Sequence, residues 1–174
     1  MNKNVNIVRD LDGSEIALIN DIRFKSRKGI EWNEVERYLK EYIGKCFEIY
    51  ETSEKIYIGS DFPDEFSHSN DTKNLKGANM KAKANVISAI KEVIQIASNK
   101  SEYPDYNGKH GAKAKFGWYY YNTRFGIPVY NEDGNLERYN IFSARMIVRH
   151  DEDGKFYLYD LVRTKKETSK PFEH

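Results

Sequence analysis

A histidine surrounded by lysines is the most chemically suggestive feature of this sequence. Residues 109–115 (KHGAKAK) place His110 among three cations in a stretch that leads into a strand rich in aromatic residues. Cleavage of RNA without a metal needs a base for the 2′-hydroxyl, an acid for the leaving oxygen and cations for the charged phosphorane. His110 is a candidate for the base or the acid. Arg145 and Lys165 are candidates for charge stabilisation, and Thr168 for binding a phosphate oxygen. The alternative is that His110 is an ordinary solvated side chain.

The sequence contains no recognisable motif for a metal or a cofactor. None of its four histidines has the spacing of a motif such as HExxH, and a lone cysteine, Cys46, cannot seed a cysteine-based zinc site. The segment DEDG at 151–154 lacks the remaining ligands of a calcium loop, so it is interpreted as a turn. Phosphate-binding glycine loops and G-x-S-x-G are absent from the sequence. We therefore expect no metal and no cofactor, and the chemistries that stay open are metal-independent.

Length and composition suit a single intracellular domain. The chain has 174 residues, which predicts one domain over residues 1–174. One cysteine excludes an intrachain disulfide and favours a reducing, cytoplasmic setting. No apolar run approaches the roughly 18 residues that span a bilayer, so we expect no contact with membranes.

The nearly neutral charge conceals two opposite blocks. The chain carries 28 basic and 27 acidic residues, a net charge of +1, which by itself argues against a nucleic-acid partner. Residues 31–72 hold eleven acidic and four basic residues, a net charge of −7, whereas residues 73–115 hold nine basic and three acidic, a net charge of +6. The blocks either mark two faces with different partners or neutralise each other across the fold.

Periodicity and turn residues predict an α+β fold. Three long strands at 118–130, 138–150 and 156–165, joined by turns that contain Asp-Gly, predict an antiparallel C-terminal meander. A long central helix at about 75–98 is predicted to cover the core face of that meander. The remaining predictions are an N-terminal hairpin at 5–19, a short helix at 32–43, a second small hairpin formed by strands 46–50 and 55–59, a loop at 60–74 and an irregular stretch at 99–115.

Alternation along the three strands places an aromatic and arginine-rich set on the face away from the core. Such a surface suits single-stranded RNA or DNA, because rings stack on bases and guanidinium groups pair with phosphates. Two alternatives need no ligand: cross-strand pairing of the same side chains, and packing of the face against the N-terminal hairpin. On the core side, Asp160 predicts a buried charge that requires a partner, such as a lysine of the long helix. The candidate nucleic-acid-binding residues are Trp118, Tyr120, Arg124, Arg149, Tyr157, Tyr159 and Arg163.

Several segments resemble an accessory domain found in the large polyvalent proteins of phages and conjugative elements. They are DFPDEF at 61–66, LKGANMKAKAN at 75–85, KFGWYYYNTRFGIPVY at 115–130, ERYNIFSARMIVRHDEDGKFYLYD at 137–160 and KKETSKP at 165–171. The resemblance implies an effector of a mobile genetic element, without assigning a reaction to any residue. The order of elements, helices before an antiparallel meander, is also similar to that of the barnase/EndoU/colicin/RelE-like nucleases, which is an analogy at the level of fold.

Three functional hypotheses follow. The first is a nuclease-like domain that cuts RNA without metal, and the second is a non-catalytic binder of RNA or another single-stranded nucleic acid. The third is a protein-binding factor, for example an inhibitor of a host or rival defence system. Its contact surface would be the acidic segment 31–71, which begins at Glu31 and ends at Asp71.

Overall fold

A computed structural model describes residues 4–25, 29–103 and 114–167 of the chain. Eight strands lie in these ranges: β1 (Val5–Arg9), β2 (Glu15–Ile19), β3 (Cys46–Glu48), β4 (Lys55–Tyr57), β5 (Ser98–Tyr103), β6 (Trp118–Tyr130), β7 (Leu136–His150) and β8 (Phe156–Lys166). Five α-helices accompany them: α1 (Trp32–Leu39), α2 (Phe62–His68), α3 (Asn70–Asn74), α4 (Gly77–Asn85) and α5 (Ile90–Gln95). Within the described ranges, no helix has the length and apolar character needed to cross a membrane.

The strands form one curled mixed sheet in the shape of a half-barrel. Its order is β1-β2-β6-β7-β8-β4-β3, and β5 pairs with β6 beside that path. Two pairs are parallel: β2 meets β6 at Ala17 and Phe125, and β4 meets β8 at Ile56 and Phe156. The other pairs are antiparallel, including the long β6–β7 and β7–β8 hairpins.

The α+β class is confirmed, but the predicted architecture is wrong. The sheet has eight strands instead of three, and strands account for about 40% of the protein. The three long strands were predicted within two residues of their observed bounds, because Asp-Gly turns mark their hairpins. The sheet extends beyond them because both small hairpins join it through parallel pairs, which local alternation does not signal.

The predicted long helix at 75–98 is also wrong. It is divided into α4, a 3-10 segment (Val86–Ala89) and α5, and the chain enters β5 at Ser98. The break follows Asn85, whose side chain accepts the backbone N–H groups of Arg23 and Phe24 at 2.9 Å and donates to the Phe24 carbonyl at 3.0 Å. A buried amide that satisfies an extended segment thus stands where a continuous helix was expected.

The segment predicted as a loop at 60–74 folds into α2 and α3. Pro63 occupies the first turn of α2, where its missing N–H costs nothing, and Ser69 caps α3 by accepting the Thr72 N–H at 3.3 Å. Phe62 and Phe66 are fully buried in the core, which explains why this polar segment is ordered as helix.

The main core lies inside the curl of the sheet, between its concave face and the helices. The predicted core faces of β6 and β7 are confirmed by buried Tyr121, Phe125, Phe142 and Met146. A smaller apolar cluster covers part of the opposite face, where Ile16 and Leu18 of β2 pack against Tyr139 and Ile141 of β7. The N-terminal hairpin therefore covers part of the outer face. Packing of this face against the hairpin was one of the two alternatives that need no ligand.

Candidate nucleic-acid interface

A cleft of about 970 Å³ opens on the outer surface of β6, β7 and β8. It lies where two strands share one edge of β6: β5 pairs as far as Asn122, and β2 pairs from Phe125 onward. The β1–β2 turn forms one wall, and the segment before β5 forms another. Side chains of the long strands that line the cleft include Asn122, Arg124, Ser143, Arg145, Arg163 and Lys165.

Arg124 links three elements at one end of the cleft. Its Nε and Nη2 donate to the two carboxylate oxygens of Glu167 at 2.8 Å, Nη1 donates to Ser14 Oγ at 2.7 Å, and Nη2 lies 3.0 Å from Asp10 Oδ2. The hydrogen bonds that Arg124 donates to Glu167 and to Asp10 raise its pKa above its usual range. Because all three nitrogens are engaged, Arg124 holds the N-terminal hairpin against the end of β8.

Three further cations line the same cleft without such engagement. The side-chain nitrogens of Arg145, Arg163 and Lys165 have no carboxylate oxygen within 4.0 Å in the described part of the chain. Arg145 is half-buried, with its guanidinium carbon 4.3 Å from the ring centre of Tyr120, while Arg163 and Lys165 are exposed. We call Tyr120, Arg145, Arg163 and Lys165 the cationic patch. It contains two of the predicted catalytic residues and two of the predicted nucleic-acid-binding residues.

β8 contains two bulges relative to β7, and one of them sets the positions of Arg163 and Lys165 at the end of this patch. Ser143 of β7 pairs with Lys165 of β8, and Arg145 pairs with Val162. Two steps along β7 therefore match three steps along β8, which leaves one extra residue in β8. Arg163 lies in this bulge with a φ of 56°, and its N–H donates to Asp71 Oδ1 at 2.9 Å. Because each bulge shifts the alternation, Leu161 is buried and the next residue, Val162, is half-buried.

The other predicted binding residues form a closed cluster at the opposite end of β6. Arg149 is almost completely buried, donating to Asp61 Oδ2 at 2.6 Å and to Asp151 Oδ1 at 2.9 Å. Burial alone would lower the pKa of Arg149, but these carboxylates raise it. Trp118 is also buried, with its ring 4.9 Å from that of Tyr159 in an edge-to-face contact. This part of the face corresponds to the cross-strand pairing alternative.

The two remaining aromatic candidates are held by acidic neighbours. The hydroxyl of Tyr157 donates to Asp153 Oδ2 at 2.6 Å, and this bond raises the pKa of Tyr157 to about 12. Burial, followed by the charge of Glu65, raises the pKa of Tyr159 to about 12. Their acidic neighbours would repel a phosphate backbone, which makes these two tyrosines poor candidates for nucleic-acid contacts.

The predicted catalytic group is only partly placed by the structure. His110 and Thr168 lie outside the described residues, so their distances from Arg145 and Lys165 are not defined. His150, at the end of β7, stacks on Phe156 with ring centres 4.2 Å apart. No described histidine lines the cleft.

The opposite charge blocks neutralise each other at several points. Lys83 of the basic block lies 3.0 Å from both Asp71 and Asp160, and Lys100 lies 2.5 Å from Glu54. The predicted lysine partner of Asp160 is thereby confirmed. Sequence reasoning missed that Asp71 joins this pair, because no local pattern connects α3 to β8 and α4.

The cleft also contains polar residues that carried no sequence signal. Ser14 belongs to a turn whose Asp12 accepts its N–H at 2.9 Å. Asn122 of β6 pairs with Arg145, and Ser143 of β7 pairs with Arg124, so both polar residues lie beside arginines of the cleft. These polar residues come together in the cleft only because strands that are distant in the sequence pair in the sheet. Comparisons with models of protein families, with curated proteins and with solved structures find no match to this chain.

Proposed function

We propose that this protein binds single-stranded nucleic acid, RNA in particular, through the cationic patch. The observation that supports the proposal is the set of three cations, Arg145, Arg163 and Lys165, that line one cleft without carboxylate partners among the described residues. A phosphate backbone supplies the anions that such a set lacks. The resemblance of the sequence segments adds the context, an accessory effector of a mobile genetic element.

The contact between Arg145 and Tyr120 suits a base as well as a phosphate. The guanidinium lies over the ring at 4.3 Å, and its outer face is left to the cleft. Planar guanidinium groups, like aromatic rings, stack on unpaired bases. A single strand lying along β7 and β8 would then direct one phosphate toward each of Arg145, Arg163 and Lys165, with an adjacent base stacked on the face of the Arg145 guanidinium.

The distribution of acidic groups favours a modest, local interaction. Asp12, Glu15 and Glu51 stand on the walls of the cleft, whereas the cations stand on the strands at its floor. Acidic walls repel a duplex that would lie across the opening, but they permit a single strand that enters lengthwise. We therefore expect weak binding of duplexes and a small number of phosphate contacts.

Titration of fluorescent oligo-U and oligo-dT, followed by anisotropy at several salt concentrations, tests the proposal. Three phosphate contacts predict that log K falls with log salt with a slope of about −2. Arg145→Ala or Lys165→Ala should each reduce the magnitude of that slope by about 0.7. Arg138→Ala is the matched control, because this arginine also lies on β7 but pairs with Glu137 at 2.6 Å and is not part of the cleft.

The same samples distinguish the other two hypotheses. Gels of tRNA incubated with the protein in chelator report cleavage. If the wild type degrades the RNA and His110→Ala does not, the protein is a metal-independent ribonuclease and not a non-catalytic binder. If neither oligonucleotide binds at low salt, the nucleic-acid proposal is wrong. The protein-binding alternative would then rest on exposed carboxylates of the acidic segment, such as Glu34 and Asp64.

A further inference from the structure

Three side chains with metal-binding atoms meet where α1 and α2 pack together. One ligand atom each from Glu36, Asp64 and His68 lies within 4.8 Å of the other two. His68 Nε2 is 2.8 Å from Glu36 Oε1, and all three side chains are accessible to solvent. None of them lines the cationic cleft. The cluster is therefore separate from the proposed nucleic-acid interface.

The two helices hold these groups on a rigid support. Asp64 and His68 are four residues apart, so they lie on one face of α2, and Glu36 faces them from α1. Buried side chains anchor both helices in the core: Val35 and Leu39 in α1, and Phe62 and Phe66 in α2. Ligands on packed helices keep their mutual distances better than ligands on loops.

The charges of the cluster favour a divalent cation. Two carboxylates stand side by side in a segment with a net charge of −7, and the ion pair recorded for Glu36 with a lysine is a 4.0 Å contact to exposed Lys40. His68 presents an imidazole nitrogen, which is a common metal ligand, beside them. A dication would balance the two carboxylates and use all three groups at once.

We infer that Glu36, Asp64 and His68 form a surface binding site for Zn²⁺. One imidazole nitrogen and two carboxylate oxygens are ligands that zinc accepts, and three protein ligands leave the fourth tetrahedral position to water. Ca²⁺ requires six to eight oxygen ligands, and Mg²⁺ prefers an all-oxygen octahedron, so both fit this set less well.

The geometry requires small side-chain movements. Bonds of about 2.0 to 2.2 Å to zinc place tetrahedral ligand atoms about 3.4 Å apart. The distance between His68 Nε2 and Glu36 Oε1, 2.8 Å, must lengthen by roughly half an ångström. The Asp64 carboxylate oxygen lies within 4.8 Å of the other two ligand atoms, so it must move toward them by at most about 1.4 Å. Rotation of the exposed Asp64 side chain supplies such a movement without shifting either helix.

The sequence conceals this site for a simple reason. Zinc motifs are recognised from closely spaced histidines and cysteines, whereas here one helix supplies an Asp and a His and the third ligand lies 28 residues earlier. The expectation of no metal was based on histidine spacing, on the lone cysteine and on the incomplete calcium loop at 151–154. Packing of α1 against α2 creates the site.

Calorimetric titration of chelator-treated protein with ZnCl₂ tests the inference. All proteins carry Cys46→Ser, which removes an exposed thiol as a competing zinc ligand. The expected result is one Zn²⁺ per chain, with affinity reduced by about 100-fold or more in Asp64→Asn and in His68→Gln. Glu34→Gln is the matched control, because Glu34 is exposed on α1 outside the cluster and should leave the affinity unchanged.

Cobalt supplies a second readout that does not depend on affinity. Co²⁺ bound by the three side chains should show visible ligand-field bands stronger than those of the hydrated ion, and Asp64→Asn should remove them. Asp64 is exposed, so this variant is expected to fold normally, which circular dichroism checks. Zinc affinity in Asp64→Asn and His68→Gln within about threefold of the parent, or no saturable binding by the parent, would overturn the inference.

Discussion

The ammonium group of Lys83 lies completely inside the protein, between two carboxylates. Its Nζ is 3.0 Å from Asp160 Oδ1 and 3.0 Å from Asp71 Oδ2, and it lies 4.8 Å above the ring of Phe66. The side chain is 0% exposed, and those of Asp160 and Asp71 are 2% and 21% exposed. The cluster joins α3, α4 and β8, so its loss should weaken the whole fold.

Lys83→Met removes the cation and keeps most of the side-chain volume, so the cavity that it leaves is small. Asp71 can regain water, because a fifth of its side chain is exposed, but Asp160 cannot. One uncompensated buried carboxylate costs about 3 to 5 kcal/mol of the free energy of unfolding. For a chain of this length, that loss lowers Tm by on the order of 10 °C.

Burial raises the pKa of Asp160 to about 7, so the loss is measured at pH 8, where this carboxylate is ionised in the wild type. Urea unfolding is followed by the fluorescence of Trp118, which is buried in the native protein. Lys91→Met is the control: Lys91 is exposed on α5, and the same substitution there should change the free energy by at most about 0.5 kcal/mol. In the double variant Lys83→Met/Asp160→Asn no buried charge remains at position 160. The asparagine oxygen can still accept the Leu161 N–H that Asp160 accepts at 2.7 Å.

The double variant should therefore be more stable than Lys83→Met alone, even though it differs from the wild type at two positions. This reversal is specific to an unpaired buried charge, because a mere loss of packing would accumulate. If Lys83→Met costs less than about 1 kcal/mol, or the double variant is the less stable of the two, the electrostatic reasoning is refuted.

Three further changes test other contacts of the fold. Burial raises the pKa of Asp160 to about 7 from 3.8, so its stabilising contribution is full below about pH 4 and is lost as the pH rises through 7; Asp160→Asn should flatten this dependence in urea midpoints measured from pH 4 to 8. Arg149→Leu removes the buried cation that pairs with Asp61 and Asp151 and should lower the free energy of unfolding by about 2 to 3 kcal/mol in the same assay. An unchanged urea midpoint would contradict a stabilising role for these ion pairs. Tyr121→Phe removes a buried hydroxyl that donates to Glu54 at 2.6 Å and should cost about 1 to 2 kcal/mol by calorimetry, whereas an unchanged Tm would show that water replaces the bond.

The local elements of this protein were predictable where turn chemistry and alternation coincide. Asp12-Gly13 between apolar residues predicted the first hairpin, and Gly13 has the positive φ of 90° that the turn requires. The helix at 32–43 is confirmed as α1 followed by a 3-10 turn, and Gly44 ends it with a φ of 90°. In these cases the signal and the structure lie within a few residues of each other.

Failures occurred where a distant residue determines the local conformation. The predicted helix at 75–98 has good periodicity, but Asn85 bonds to the backbone of residues 23 and 24, about 60 positions earlier. The pairing of β2 with β6 joins residues more than 100 positions apart and has no local signature. The bulges of β8 likewise depend on its register with β7, so simple alternation does not show that Leu161 is buried and Val162 half-buried.

The same limitation applies to the candidate interface, with a consequence for experiments. In the sequence, Arg124, Arg145 and Arg149 occupy equivalent outward positions on neighbouring strands. The structure separates them, because acidic groups from remote turns engage two of the three: Asp10 and Glu167 hold Arg124, and Asp61 and Asp151 hold Arg149. A buried or bidentate ion pair stabilises the fold, because breaking it leaves a charge without its partner. A cation without a carboxylate partner contributes little to the stability of the fold but can bind a phosphate directly. Stability and binding should therefore be governed by different arginines of one surface. Loss of ligand affinity on substituting Arg145, at unchanged stability, is the observation that assigns the surface its function.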